Sequence, residues 1–311
     1  MTTDTLTVAS WNVERNGIDP DGGRRRRDVA LEVLREVNAD LVFRQEEHFA
    51  RDNDGRLADE EADVLGLETH LSPYGPEHHS PQAVLVRPEL FQFEREDDWY
   101  SGLYKPIRIV TVRMRGTTRP LKLTSVHLCW CDPGLRETAA RRLTALADQG
   151  KASAMVFMDG NSYPSNDPAS IAPLPSWEEI PDPVHRAHRF ITRDGKRVPD
   201  TVPDEVLTGS GVFEELGYYA YSQRGQREAL RPTGSLWRKD QGPRRRIDRG
   251  YVTTDLAPAL RSLEVIDEPR VAFASDHALV VATFDMNTLR RALTDTPPAV
   301  AEAGPVPAVA A

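Results

Sequence analysis

Polar residues able to hold a cation or move a proton stand where short apolar runs begin and end. Asn12 and Glu14 follow LTVASW, Glu46 follows ADLVFRQ, His127 ends LKLTSVH, and Asp159 and Asn161 follow AMVFM. Toward the C-terminus the order inverts, with Asp248 near the start of IDRGYV and Asp276 and His277 directly before ALVVATF. If the runs are strands of a sheet with antiparallel pairs, the end of one and the start of its neighbour share an edge. The polar groups would then meet at one rim, where carboxylates repel one another unless a cation sits among them. Each piece alone has an ordinary explanation. Asn at a strand end is a turn residue, Asp159-Gly160-Asn161 reads as a turn, and Ser275-Asp276-His277 reads as a loop with a solvated imidazole. The ordered set is the signal, because independent turn residues have no reason to alternate with core strands in this way.

The elements that must position these groups follow from hydrophobic spacing. Residues 6–11, 40–43, 83–86, 107–114, 121–126, 155–158, 247–253 and 279–284 are short runs rich in Val, Leu, Ile and Thr, whose length favours strands over helices. The alternation of Ile107, Ile109, Thr111 and Arg113 suits a sheet covered on one face. Val29, Val33, Leu34 and Val37 form one helical stripe ending at Asn38. Leu135, Ala139, Leu143 and Leu146 form another ending at Gly150. Each helix lies between two strands while other strands follow one another directly, which predicts mixed sheets with helices outside. Residues 161–245, rich in Pro, Asp and Gly, read as long surface loops with short helices. The fold predicted is an α/β two-layer sandwich of mixed sheets flanked by helices. One catalytic domain over 1–290 precedes an Ala/Pro-rich disordered tail over 291–311.

Composition narrows the function. The chain has 311 residues, 39% hydrophobic and 28% charged, enough for one substantial core. Lys and Arg total 39 against 48 Asp and Glu, a formal net charge of −9, so a whole-protein basic field gripping nucleic acid is excluded while a local basic patch is not. No apolar run approaches the about 18 residues of a membrane span. The start, MTTDTLTVASWN, has neither a basic segment nor a long apolar stretch, so a cytoplasmic location is expected. Two cysteines, Cys129 and Cys131, exclude a disulfide scaffold and a four-cysteine zinc site. They are expected to be reduced and pointing apart.

The motifs SWNVE (10–14), RQE (44–46), SVHL (125–128), MDGN (158–161), RRID (245–248) and SDHALV (275–280) resemble, in order, those of the endonuclease/exonuclease/phosphatase superfamily. Its fold is that of deoxyribonuclease I and exonuclease III. The resemblance spans Ser10 to Val280 and implies a Mg²⁺- or Mn²⁺-dependent phosphoesterase. Glu46 matches the family's principal metal ligand, joined by Asn12, Glu14 and Asp276, and all-oxygen ligation selects a hard divalent cation. By the same likeness Asp159 orients or deprotonates the attacking water, and Asn161 positions water and phosphate. His277 donates to a phosphoryl oxygen with Asp248 holding its ring, and His127 stabilises developing charge. Attack would be in line, with no covalent intermediate. The chain departs from the family by placing Gly160 where Phe is common and Leu279 where Pro is common. It continues Glu46 with Glu47-His48-Phe49 rather than Thr-Lys, which argues against abasic-site repair.

Other features carry two readings each. Arg24–Arg27 and Arg244–Arg246 could contact a phosphate backbone or be solvated surface, and Arg246 adjoins the site. Arg108 could reach phosphate or form a cross-strand ion pair. Trp130 could pack a loop or stack on substrate. His78, His79, His185 and His188 read as surface residues rather than a second metal site. A nuclease acting on DNA or RNA is the first expectation, with nucleic acid as substrate. A hydrolase of small-molecule or lipid-head-group phosphoesters is the alternative, and a catalytically silent binding module with the same fold is the third reading. The sequence does not fix the oligomeric state.

Overall fold

The computed structural model describes residues 4–75, 78–148 and 151–294. Strands in chain order are β1 (Thr5–Asn12), β2 (Leu41–Gln45), β3 (Glu68–Leu71), β4 (Ala83–Val86), β5 (Phe91–Trp99), β6 (Ile107–Met114) and β7 (Leu121–His127). They continue with β8 (Ser153–Asp159), β9 (Phe190–Arg193), β10 (Lys196–Pro199), β11 (Phe213–Glu215), β12 (Asp248–Thr253), β13 (Leu260–Ile266) and β14 (Leu279–Asp285). Helices are α1 (Arg25–Val37), α2 (Arg56–Leu65), α3 (Pro133–Leu143), α4 (Pro183–Arg189), α5 (Val202–Thr208), α6 (Leu216–Arg224), α7 (Pro269–Ala274) and α8 (Met286–Ala292). Two mixed six-stranded sheets result, ordered β13-β14-β1-β2-β4-β3 and β11-β12-β8-β7-β6-β5, with β9 and β10 a separate hairpin. No described helix is long and apolar enough to cross a membrane.

The sandwich forms because both sheets bury one face against the other. Phe43 of β2 stacks on Phe157 of β8 with ring centroids 4.7 Å apart, an offset geometry that adds to area burial. Alternation along β8 divides its side chains between two cores. Met155 and Phe157 enter the core between the sheets, while Ala154, Val156 and Met158 pack under α3 and α5. The second sheet is therefore covered on both faces near its centre. Ile107 and Ile109 lie in the outer core with α3, and Val110 and Val112 in the inner one. The expectation of a single covered face fails because a helix lies over the alternate positions too.

Parallel pairs β1–β2 and β7–β8 carry the two strand–helix–strand units, with α1 and α3 as their connections. Helix α3 ends at Leu143, and a single 3-10 turn over Thr144–Leu146 buries Leu146 in place of a further α-turn. The 161–245 region contains α4, α5, α6, the β9–β10 hairpin and edge strand β11, more regular than its composition suggests. The domain boundary also moves. Helix α8 runs to Ala292, Leu293 is fully buried, and its carbonyl accepts from the Thr118 and Arg119 amides. Residues 291–294 thus belong to the folded chain, and the rest of the expected tail, 295–311, lies outside the described residues.

Candidate active site

Strand registers align the catalytic candidates. In the second sheet His127 pairs with Asp159, and Asp159 pairs with Asp248, so three strand ends place these residues in one row. In the first sheet Asn12 at the end of β1 pairs with Gln45 at the end of β2, and antiparallel β14 starts at the same rim. Gln45 donates to Ser125 Oγ at 2.9 Å, and Ser125 donates to the Arg44 carbonyl at 2.7 Å, tying the two rims together. Ser275 donates to the Asn12 carbonyl at 2.7 Å and fixes the segment carrying Asp276 and His277 against β1. Thr233 Oγ1 accepts from the Asp248 amide at 2.8 Å, and its carbonyl accepts from the Ala278 amide at 2.6 Å, which sets Asp248 beside His277.

The side chains meet at the floor of a cleft of about 470 Å³, whose lining includes Glu14, Glu46, His127, Asp159, Asn161, Asp276 and His277. Asp159 Oδ2 accepts from Asn12 Nδ2 at 3.0 Å and faces His127 Nε2 at 3.3 Å and His277 Nε2 at 3.8 Å. Its other oxygen accepts from the Asn161 amide at 3.0 Å, and Asn161 Nδ2 donates to the Leu128 carbonyl at 2.9 Å. His277 Nδ1 donates to both Asp248 oxygens, at 2.9 and 3.0 Å. Burial works against a charged ring there, but Asp248, Asp276 and Asp159 outweigh it and raise the His277 imidazole well above its ordinary value. Two of these residues sit at positive φ: Glu46 at 62° just past β2, and Asn161 at 44° just past Asp159-Gly160. Such backbone is costly for a glutamate in particular and persists only where surroundings impose it. On either side of Glu46 in sequence, buried Arg44 and Glu47 pair at 2.7 Å, and Arg44 also pairs with Glu61 at 2.9 Å.

The donor set fits a hard divalent cation. Asn12 Oδ1 is buried with no hydrogen-bond partner among the described residues, and an orphaned buried oxygen calls for a cation or donor. Glu46 stands beside it, with Asn12 Nδ2 3.5 Å from Glu46 Oε1. Burial opposes the Glu46 charge, but Lys105, the Arg15 amide and His277 prevail and hold its carboxyl below the usual range. Asp276 is pushed up, first by burial and further by Glu46, although His277 opposes this. That is the repulsion a cation would relieve. Glu14 lies on the cleft wall, but its carboxylate pairs with Arg26 at 3.1 Å and stands 3.9 Å from Arg238. We therefore leave it out of the ligand group. Asp159, Asp248 and His277 also present ligand atoms within 4.8 Å of one another, yet both Asp248 oxygens already accept from His277, which leaves Asp248 a hydrogen-bond partner of the ring rather than a free ligand.

Two expected phosphate contacts do not reach the cleft. Arg108 faces Asp98, its register partner across β5–β6, through two 2.8 Å hydrogen bonds and also pairs with Glu96. Arg246 is buried between Asp167 at 2.5 Å and Glu215 at 2.6 Å. The arginine runs are likewise engaged. Arg24 binds Glu60 at 2.5 Å, Arg26 binds Asp19 at 2.8 Å, Arg27 is buried against Asn16 and Glu61, Arg25 lies over Phe273, and Arg244 stands 3.4 Å from Asp267. Spacing reveals a cation but not the carboxylate folded against it.

Lys105 enters the site without any motif to mark it. Its Nζ lies 3.0 Å from His127 Nδ1 on the cleft wall. His78, His79, His185 and Trp130 also line the cleft, His79 and Trp130 as exposed residues, with Trp130 edge-on to His188 at 5.6 Å. Asp182 and Asp240 do accompany His185, but Asp182 caps α4 and Asp240 binds Arg238 through both oxygens. The cysteines are free thiols, as expected, yet their sulfurs face each other at 3.5 Å because the chain bends after β7. Gly160 has a local reason: a Cβ there would meet Arg249 Nη2 at 2.5 Å, and that buried guanidinium holds Ser162.

A scan against models of protein families returns no match, and no curated protein matches the chain. Solved structures do. TDP2 from D. rerio, complexed with a single-strand DNA product, is 16% identical, with a TM-score of 0.60 covering 91% of this chain and 99% of its own. An endonuclease/exonuclease/phosphatase family protein from Bacteroides thetaiotaomicron is 14% identical with a TM-score of 0.60, covering 90% and 97%. A mannosyl-6-phosphatase from Bacteroides thetaiotaomicron is 15% identical with a TM-score of 0.58, covering 89% and 98%. At such identities the likeness is one of architecture: two mixed sheets flanked by helices give this chain the deoxyribonuclease I-like fold of the endonuclease/exonuclease/phosphatase superfamily.

Proposed function

We propose that the protein is a divalent-metal-dependent phosphoester hydrolase. The observation that carries this reading is the setting of Asp159, whose Oδ2 gathers Asn12, His127 and His277 within 3.8 Å beside Glu46. Glu46, Asn12 and Asp276 would hold Mg²⁺ or Mn²⁺, which neutralises charge on a phosphoryl oxygen and the leaving group. Asp159 accepts a proton from water as the water oxygen bonds to phosphorus and the ester P–O bond breaks opposite it. His277, charged through Asp248, donates toward a phosphoryl oxygen. The Lys105 ammonium only donates, so His127 Nδ1 accepts and its Nε2–H faces the site as a neutral donor. Burial first, then Lys105, lower the His127 ring to about 3, which keeps it neutral. The intact constellation speaks against a catalytically silent module.

For the substrate we favour a small phosphoester over duplex nucleic acid. In the arginine runs that argued for a polynucleotide backbone, Arg24, Arg26, Arg244 and Arg246 are engaged in ion pairs. The mannosyl-6-phosphatase neighbour acts on a small phosphoester. A nucleic-acid end remains the second reading. Trp130, 42% exposed in the cleft, offers a stacking face, and the TDP2 neighbour holds a DNA product. Plasmid DNA, single-stranded DNA, RNA and inositol phosphates, each assayed with Mg²⁺ and Mn²⁺, separate the two. The nuclease reading fails if only soluble phosphoesters turn over, and the hydrolase reading fails if none of the panel does.

A further inference from the structure

Arg189 ends α4 and lines the same cleft as Asp159 and His277. It is only 7% exposed, yet among the described residues its guanidinium makes no ion pair and no hydrogen bond, and Nη1 is buried without a partner. The other buried arginines are all matched. Arg27 faces Glu61 at 3.6 Å, Arg44 faces Glu47 at 2.7 Å, Arg136 faces Asp200 at 2.8 Å, Arg246 faces Asp167 at 2.5 Å, and Arg249 faces Asp204 at 4.0 Å. Asp200, whose backbone amide donates to the Arg189 carbonyl at 2.9 Å, gives the guanidinium no relief. Asp200 turns Oδ2 to Arg136 and Oδ1 to the Val202 amide at 3.1 Å. The groups that feel the Arg189 charge include Arg136, His185 and Tyr163, which offer it no counter-charge. Burying a guanidinium that no described residue compensates is unfavourable, and its place on a cleft wall leaves it open to a partner that arrives from outside.

We propose that Arg189 binds a second anionic group of the substrate, a phosphate distinct from the one hydrolysed. This rests on the phosphoester-hydrolase reading above. The planar guanidinium matches a phosphate through two parallel N–H donors, a fit that a lysine ammonium does not reproduce. The floor of the cleft is acidic and prepared for a cation, so the unpaired positive charge on the wall marks where a substrate carrying more than one phosphate is oriented. The second phosphate can belong to the neighbouring residue of an oligonucleotide or to a small molecule phosphorylated twice.

Calorimetry of the full chain with inorganic pyrophosphate in EDTA reads the subsite without turnover. Arg189→Met is expected to weaken binding at least about tenfold, and Arg189→Lys to restore part of it. The melting temperature of Arg189→Met should be unchanged or higher, because no folded partner loses a bond. A purely structural arginine would give the opposite. With Mg²⁺, KM for substrates carrying a second phosphate should rise about tenfold in Arg189→Met, while a single-phosphorus substrate keeps its KM and kcat. A thymidine dinucleotide bearing a 5′-phosphate and an inositol bisphosphate decide which source the site takes. Equal pyrophosphate affinity in wild type and Arg189→Met, no binding by wild type, or an unchanged KM on every two-phosphate substrate that turns over would overturn the proposal. If pyrophosphate binding falls as expected while no phosphoester turns over, the hydrolase reading is what fails.

Discussion

Lys105 Nζ approaches His127 Nδ1 at 3.0 Å, and the opposite ring nitrogen of His127 faces Asp159 Oδ2 at 3.3 Å. A buried ammonium thereby sets the tautomer of an imidazole that borders the proposed site of attack. Lys105→Met removes both the donor and a positive charge near Glu46, and is expected to lower kcat by about a hundredfold. The melting temperature should stay within a few degrees. Steady-state kinetics with a phosphodiester and Mg²⁺ check this, and an unchanged kcat would leave Lys105 a packing residue.

The His277–Asp248 pair makes a pH prediction. His277 must be charged to donate, and its ring is raised well above the ordinary histidine value, with Asp248 the leading favourable cause against burial. The charged form is present below that raised pKa, so activity should persist through neutrality and fall only as pH climbs past it. Asp248→Asn removes the leading favourable charge and should move the basic limb of kcat/KM to lower pH. A basic limb that stays in place in the variant would mean that another group titrates.

Gly160 tests packing behind the site. Gly160→Ala drives a Cβ to 2.5 Å from Arg249 Nη2 and 3.1 Å from the Ile247 carbonyl. The buried guanidinium is held by Ser162 and Tyr251 and has little freedom to retreat. A loss of about 1–3 kcal/mol is expected in urea unfolding.

The fold and much of the site were legible in the sequence, and what escaped did so for physical reasons. Strands β1, β2, β4, β6, β7, β8, β12 and β14 bury most of their residues and read as apolar runs. Strand β5, FQFEREDDW, exposes most of its length at a sheet edge and carries acidic residues that hide its pattern. Edge strand β13 mixes charged with apolar residues and escaped similarly, while β11 is only three residues long. Asn12, Asp159 and His277 stand at strand ends, so register brings them together. Lys105 and Arg189 lie outside any motif, and only tertiary packing shows that the first touches His127 and that the second meets no carboxylate among the described residues. Of the two readings open for Arg108, the cross-strand ion pair with Asp98 is the one observed, whereas Arg246 reads as available because its partner Asp167 is distant in sequence.

Metal binding should register as stability. If the Asn12, Glu46 and Asp276 group holds the cation in the folded chain only, Mg²⁺ or Mn²⁺ at a hundredfold over Kd should add about 2.7 kcal/mol. Glu46→Gln should abolish most of that increment in a thermal scan. Equal stabilisation of wild type and variant would place the ion elsewhere, with Asp182, His185 and Asp240 the next group to examine.

The most direct measurement compares Mg²⁺-dependent hydrolysis of a phosphodiester by the wild type and by Asp159→Asn of matched melting temperature. Turnover by the wild type that EDTA abolishes is expected, with loss of at least about a thousandfold in the variant. Full activity in Asp159→Asn, or turnover indifferent to EDTA, would contradict the proposed mechanism.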